Sequence, residues 1–397
     1  MTTPAAPASP AGVPLRRILG VVLFNFVGYF CVGLPLAAIP GHVHHDLGYG
    51  TVLAGLAVSL QSLATLLTRT PAGRLCDGRG PKTSVLAGLG ACAVAGVLLL
   101  ASAWLAAVPA ASLAILLLSR LALGAGESLV TTGTITWGIG EAGIAQSGRV
   151  ISWNGVTTYG ALGLAAPCGV WLARQWGFAA LGTVTLLVAL AALWLCRHRP
   201  GVVPIRGPRV PARQVLAKVL PFGLCLGLGS LGFGAITAFV ALYYGSRGWP
   251  HAALAISLLG ATFVATRLVL PNAIARFGGY AVALGSFVVE ATGLLLLWWA
   301  PLPAWAALGA AVTGAGFALV FPSLGSEAIR AIAASSRGTA LGIFSLFLDV
   351  ALAVVGPLAG WLALRGGYGT IYLVAALASA LASLVTFGLW RRLRPPR

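Results

Sequence analysis

The sequence predicts an all-α integral-membrane fold, with twelve transmembrane helices arranged as two six-helix pseudo-repeats. Three observations lead there. First, 59% of the 397 residues are hydrophobic and 8% are charged, whereas soluble domains carry roughly 25% charged residues. Second, the apolar runs are long enough to cross about 30 Å of hydrocarbon as helices, which satisfy their own backbone N–H and C=O groups where no water can. Third, the second half of the chain echoes the first.

The expected spans are 18–39, 51–68, 84–107, 111–132, 155–173, 178–196, 219–245, 252–270, 281–300, 304–324, 339–363 and 370–389. Residues 1–17 form an Ala/Pro-rich tail whose Arg16 and Arg17 lead straight into a full-length span, so no cleaved signal is expected. With this tail in the cytoplasm, 21 of the 25 Lys and Arg residues lie on that side. Arg174, Arg247 and Arg365 lie outside, and Arg120 alone falls within a span. Such a bias places both termini in the cytoplasm. It also accounts for the formal charge of +18 without a nucleic-acid partner.

Residues 18–196 form the first bundle and 219–390 the second. The cytoplasmic joint between them, 197–218, is basic and broken by Pro200, Pro204, Pro208 and Pro211, and 391–397 is a basic cytoplasmic tail. A shift of 190 residues lays Gly124-Ala125-Gly126 over Gly314-Ala315-Gly316, Gly148 over Gly338, Pro167 over Pro357 and Trp171-Leu172-Ala173 over Trp361-Leu362-Ala363. A shift of 198 pairs Arg69 with Arg267 and Gly80 with Gly278. Parallel repeats of this kind imply two bundles that rock about a central site.

Cys31, Cys92, Cys168, Cys196 and Cys225 lie in apolar stretches and read as small buried hydrophobes. Cys76 sits in a loop, with no partner at metal-ligand spacing. His42, His44 and His45 read as a solvated outer loop, because histidines so close in sequence converge on a metal only through a special turn. No disulfide framework, metal or cofactor is expected. No enzyme is expected either, since no acid and base, or nucleophile and base, stand at useful spacing.

Gly73-Arg74-Leu75-Cys76-Asp77-Gly78-Arg79-Gly80-Pro81-Lys82, between the second and third spans, resembles the signature loop of the major facilitator superfamily. Two basic positions of that loop are Gly78 and Pro81 here, and the copy in the second half has Ala275 where the first has Asp77. Arg120 with Gly124 and Gly126 resembles the superfamily's membrane-embedded Arg-plus-Gly motif. Gly163, Ala166, Pro167 and Gly169 resemble the Gly-Pro motif of its antiporters, with Ala166 in place of a glycine. Val43-His44-His45-Asp46-Leu47-Gly48-Tyr49-Gly50, Ser152-Trp153-Asn154-Gly155 and Arg337-Gly338-Thr339-Ala340-Leu341-Gly342 are similar to the YhhS-type bacterial permeases, often labelled sugar-efflux-like. The resemblance covers nearly the whole chain. It implies the major facilitator fold and a transport role without naming a solute.

The acidic residues number only seven, and Glu127, Glu290 and Asp349 fall inside spans. A carboxylate in hydrocarbon costs several kcal/mol, which makes each a candidate proton carrier. Arg120, Gly124, Glu127 and Thr131 share one helical face at i, i+4, i+7, i+11. Arg120 and Glu127 therefore look into one space, about 10 Å apart along the axis, with room for a solute or water between them. The resembled fold places the fourth helix on the central cavity, making Glu127 the first choice. Asp349 lies near the midplane of the eleventh helix. Glu290 lies on the ninth, which in that fold packs against lipid or the bundle's back. The proton-coupling candidates are thus Glu127, Asp349, Arg120 and Glu290.

Asn25, Tyr29, Gln61, Trp153, Asn154 and Thr157 are candidates for lining a solute site, with interhelical hydrogen bonding as the competing role. In the signature loop, Gly73, Asp77, Arg79, Gly80 and Lys82 form a gate with Glu141. The Asp77 carboxylate is expected to accept hydrogen bonds from a facing helix N-terminus, which the resemblance assigns to the eleventh helix, and Arg74 or Arg79 is expected to pair with Glu141. The leading expectation is a monomeric, proton-coupled exporter of a small organic solute in a bacterial cytoplasmic membrane, its partners being solute, protons and the lipid bilayer. The alternatives are a proton-coupled uptake symporter of a sugar or organic acid and a transport-inactive membrane sensor.

Overall fold

Backbone that must close its own hydrogen bonds in lipid becomes helix, and each expected span is helical in the computed structural model, which describes residues 15–36, 38–49, 51–203, 210–330 and 332–393. Met1–Pro14 of the expected tail, Gly50, Pro204 and Pro208 of the joint, and 394–397 lie outside the described residues. Among the described residues there is no strand. The long helices of the first half are α1 (Leu15–Leu36), α2 (Thr51–Arg79), α3 (Pro81–Trp104), α4 (Pro109–Ala142), α5 (Ser147–Trp176) and α6 (Ala179–Arg197). Those of the second are α7 (Ala212–Ser246), α8 (Ala252–Val269), α9 (Gly279–Trp299), α10 (Pro303–Phe317, resumed at Val320–Arg330), α11 (Arg337–Gly366) and α12 (Tyr368–Leu393).

Several helices overrun their apolar cores, because backbone bonding continues into polar flanks beyond the hydrocarbon. Thus α2 extends to Arg79 and α4 to Ala142, well past the ends expected from hydropathy. The overrun corrects the sequence reading at two residues, and burial corrects it at a third. Arg69 and Cys76, expected in a loop, are buried in α2, and Arg267 is buried in the last turn of α8. With the two arginines set aside, nineteen basic residues still lie on the side expected to be cytoplasmic. Ten helices among the described residues are long and apolar enough to span alone. The exceptions have physical causes: α2 is diluted by Gln61, Thr65, Thr68 and Arg69, and α8 is short.

Packing repeats with the sequence. In the first half α1 meets α5, α2 meets α4, and α3 meets both α4 and α6; six helices later, α7 meets α11, α8 meets α10, and α9 meets both α10 and α12. Gly80 and Gly278 occupy matching turns with φ of 96° and 83°, a region where an L side chain costs roughly 1–2 kcal/mol. The outer turn before α2 differs from the solvated loop expected there. His42 is buried, stacked on Phe178 at a centroid distance of 3.8 Å and bonded to Asp46 at 2.7 Å. His44 is exposed.

The two halves touch across α2–α11, α5–α8 and α5–α10. One buried apolar cluster among the described residues draws on both, joining Ile135, Ile139 and Ile151 to Leu324, Leu341 and Phe344. It lies toward the basic end of the bundle, where the α2–α3 turn and the joint are. Every other cluster stays within one half. The halves are therefore sealed together at the basic end and not by apolar packing at the far end.

Phe344 is fully buried in this seal and packs on Phe321 at 5.1 Å. Phe344→Ala should weaken the seal by about 3–5 kcal/mol. The readout is alkylation of native Cys76, 1% exposed, by a water-soluble maleimide: it should accelerate, and an unchanged rate would remove Phe344 from the seal.

Candidate functional site

Charges inside a bilayer collect where they can satisfy one another, and here three helices of the first half bring theirs together. On α2, Gln61, Thr65 and Arg69 recur every fourth residue and share a face. Opposite them, α4 presents Arg120, Glu127 and Thr131, and α1 presents Tyr29. Gln61 joins the two charges of α4: its Oε1 accepts from Arg120 Nη2, and its Nε2 donates to Glu127 Oε2 at 2.9 Å. The gap expected to hold a solute or water is therefore closed by a side chain, because Gln61 is long enough to reach both groups from the neighbouring helix. Thr65 also donates to Glu127 (3.2 Å), as does the Tyr29 hydroxyl (3.3 Å), which in turn accepts from Thr131 (3.4 Å).

Arg69 links this cluster to the other half. Its Nη2 lies 4.0 Å from Glu127 Oε1, while its Nε and Nη2 donate to the two oxygens of Asp349 on α11 at 2.8 and 3.3 Å. The fork matches the carboxylate in the two-pronged way that makes such pairs strong. Arg69 Nη1 and two nitrogens of Arg120 are buried without a hydrogen-bond partner among the described residues.

Beside the cluster is a cavity of about 90 Å³ between the halves. Tyr29, Arg69, Thr131, Asn154 and Tyr159 line it from one side, and Phe263, Arg267, Phe317 and Ser345 from the other. Of the residues expected to line a solute site, Tyr29 and Asn154 reach this wall. Asn25 instead ties α1 to α5, donating to Asn154 O (3.0 Å), Thr157 (3.1 Å) and Thr158 (2.8 Å). Thr157 is spent in that contact, Gln61 stands behind Glu127, and Trp153 packs against the inter-half cluster. Glu290 is fully buried inside the second half, with both oxygens lacking partners among the described residues and Gly229, Gly232 and Gly316 close around it.

At the basic end the Asp77 carboxylate receives the N-terminus of α11. Gly338 N–H donates to Oδ1 at 2.8 Å, and the Thr339 N–H and hydroxyl donate to Oδ2 at 2.8 and 2.6 Å. Gly73 permits the approach, since a Cβ there would meet the Gly338 carbonyl at 2.5 Å. The matching contact of the second half is apolar: Ile274 lies against Gly148 at the start of α5, where a Cβ would meet it at 2.7 Å. Neither Arg74 nor Arg79 pairs with Glu141; both arginines are exposed, and the ion pairs among the described residues lie elsewhere. Lys82 turns to the end of α6, donating to the carbonyls of Arg197 (2.9 Å) and Arg199 (2.6 Å), where a helix C-terminus favours a cation.

A sequence profile of the Major Facilitator Superfamily matches residues 21–281. The chain belongs to that superfamily. An uncharacterized MFS-type transporter of Burkholderia mallei is 48% identical over 376 residues, 95% of this chain and 92% of its own length. One from Pseudomonas aeruginosa is 47% identical over 396 residues, covering 100% and 98%. In fold, the E. coli fucose:proton symporter superposes with a TM-score of 0.77 at 14% identity, over 94% of this chain and 98% of that one. A bacterial homologue of the iron transporter ferroportin, in an outward-facing state, gives 0.78 at 14%, over 94% and 99%. This major facilitator protein is therefore a multi-pass membrane transporter and not an enzyme.

Two residues of the transporter's centre escaped the sequence reading, Arg69 and Arg267. Arg69 sits one residue past its expected span and Arg267 three residues inside the end of its own, where the charge pattern assigns both to the cytoplasmic side. The available signal was their coincidence in the repeat: a shift of 198 brings one arginine onto the other.

Asp77→Ala removes all three acceptor contacts to α11, a change worth about 0.5–2 kcal/mol for a helix cap. Spin labels at Arg79→Cys and Arg330→Cys should then report a larger separation of the halves. A distance distribution matching the parent would exclude the latch.

Proposed function

We propose that this transporter carries a small organic solute together with a proton by alternating access, with Glu127 and Asp349 taking the proton and Arg69 acting as the switch. One observation carries the reading: a single buried guanidinium spans both halves, 2.8 Å from Asp349 and 4.0 Å from Glu127. With both carboxylates ionised, Arg69 clamps α2 to α11 and holds the basic end shut. A proton on Asp349 removes the cross-half partner, and Arg69 then turns to Glu127 within its own half. The clamp is released as the proton is bound.

Tyr29 supplies the coupling. Its hydroxyl lies on the cavity wall and also donates to Glu127. A solute that captures this hydroxyl strips a donor from the ionised carboxylate, so solute and proton bind together, and by linkage each favours the other equally. The basic residues at the sealed end support placing that end in the cytoplasm, of a bacterial inner membrane by analogy with the bacterial relatives. On this reading the solute is taken up with inward proton flow.

Export by proton exchange on the same residues is the second reading. The Gly163, Pro167 and Gly169 run on α5 favours it, with Gly169 seated against the Leu34 carbonyl of α1. The two differ in sign. In sealed proteoliposomes containing a trapped pH dye, an inward solute gradient acidifies the lumen under co-transport and alkalinises it under exchange.

Two substitutions test the switch. Glu127→Gln should abolish coupled transport while leaving a folded, inserted protein, and parental rates would remove Glu127 from the mechanism. Asp349→Asn imitates the protonated state. Labels at positions 79 and 330 should then lie farther apart than in the parent protein at the same pH; a distance distribution matching the parent would refute the clamp.

A further inference from the structure

The two repeats place an arginine at the same point but do not treat it alike. Arg69 has Asp349 and Glu127. In the repeat frames, with shifts of 198 for the arginines and 190 for the later helices, Arg267 takes the place of Arg69, Tyr159 the place of Asp349, and Phe317 the place of Glu127. Both carboxylates are thus replaced by aromatic rings. Arg267 is 4% exposed, and no carboxylate among the described residues pairs with it. Its Nε donates to Ala318 O at 2.8 Å, where α10 is interrupted, and its Nη1 donates to Ser152 O at 3.1 Å. Nη2 takes no acceptor among the described residues. Phe263 covers the guanidinium at 4.5 Å, and Gly155 leaves it space on α5. The group lies on the wall of the central cavity.

Neutral carbonyls satisfy hydrogen bonds but not charge. A guanidinium held in hydrocarbon without an anion costs several kcal/mol, and persists where a partner arrives from outside the chain. We propose that Arg267 is the binding group for the carboxylate of an anionic solute, a small organic acid whose apolar or aromatic body lies among Tyr159, Phe263, Phe317 and Phe321. The solute supplies to Arg267 the negative charge that Asp349 and Glu127 supply to Arg69.

This rests on the cavity being the transport site, and it sharpens the coupling proposed there. An anion docked on Arg267 adds negative charge across the cavity from Glu127 and Asp349, which favours proton uptake by either. Acid anion and proton then cross together. No bond is made or broken; the proton moves only between water and a carboxylate.

The experiment measures binding separately from coupling. Purified transporter is heated with carboxylates and their neutral amides in matched pairs: lactate and lactamide, benzoate and benzamide, 4-hydroxybenzoate and 4-hydroxybenzamide. The expected result is a raised unfolding midpoint with at least one carboxylate and none with its amide. In Arg267→Gln that affinity should fall by about tenfold or more, the loss expected for a hydrogen bond to a charged group, and Arg267→Lys should recover part of it. Equal shifts by acid and amide, no shift by any carboxylate, or a full shift in Arg267→Gln would overturn the assignment. Because the acid–amide comparison uses the parent protein, the test stands even where Arg267→Gln does not fold. Lumenal pH in proteoliposomes reads the coupling alone: an acid that binds without moving lumenal pH refutes proton coupling and leaves the anion site standing.

Discussion

A guanidinium in the middle of a bilayer needs negative charge within a few ångströms, and at Arg69 the nearest supplies come from opposite halves of the molecule. The arrangement of the centre follows from that need. Burial of Arg69 calls for Asp349 at 2.8 Å, and so for α2 against α11. Glu127, at 4.0 Å, is then the remaining partner in its own half, and Gln61, Thr65 and Tyr29 hold it there with hydrogen bonds. Removing one member of such a group leaves an uncompensated buried charge, a cost of about 3–5 kcal/mol. Under the proposed coupling, a proton that cancels one member does so reversibly, which suits the cluster to a two-state machine.

The repeat is close in backbone and unequal in chemistry. At the basic end one contact is polar, Asp77 on α11, and its counterpart is apolar, Ile274 on α5. In the centre one arginine is provided with carboxylates and the other with rings. At the basic end the first half carries the carboxylate and the second half meets it largely with backbone, while in the centre the acids, Glu127 of the first half and Asp349 of the second, both gather around Arg69. Under the coupling proposed above, placing the acids around one arginine lets a single protonation event govern the opening.

Much of this was legible in the sequence where a rule is local. The spans were readable from apolar length, the two halves from the spacing of Pro167 with Pro357 and of Trp171 with Trp361, and the Asp77 contact from a signature loop whose carboxylate needs helix amides. Glu127 and Asp349 stood out because acids are scarce here. What escaped depended on where helices end and on which side chain crosses between them. Arg69 fell just beyond its apolar run and Arg267 in the last turn of its own, places where a basic residue reads as a loop flank and only three-dimensional packing says core. Gln61 was a candidate for a cavity wall, and no spacing rule foretold that it reaches Arg120 and Glu127 at once. Asn25 and Thr157 had two readings with the same residue types, and the helix crossing of α1 with α5 decided for interhelical bonding.

The grip of Asp77 on α11 has a corollary for substitution. Two of its three contacts are to main-chain amides, a feature every residue except proline presents alike. Substitution at position 338 is therefore constrained by bulk and by proline and not by polarity, whereas position 339 also contributes its hydroxyl and position 77 must supply the accepting oxygens. One side of the lock is thus written largely in backbone and the other in a single side chain.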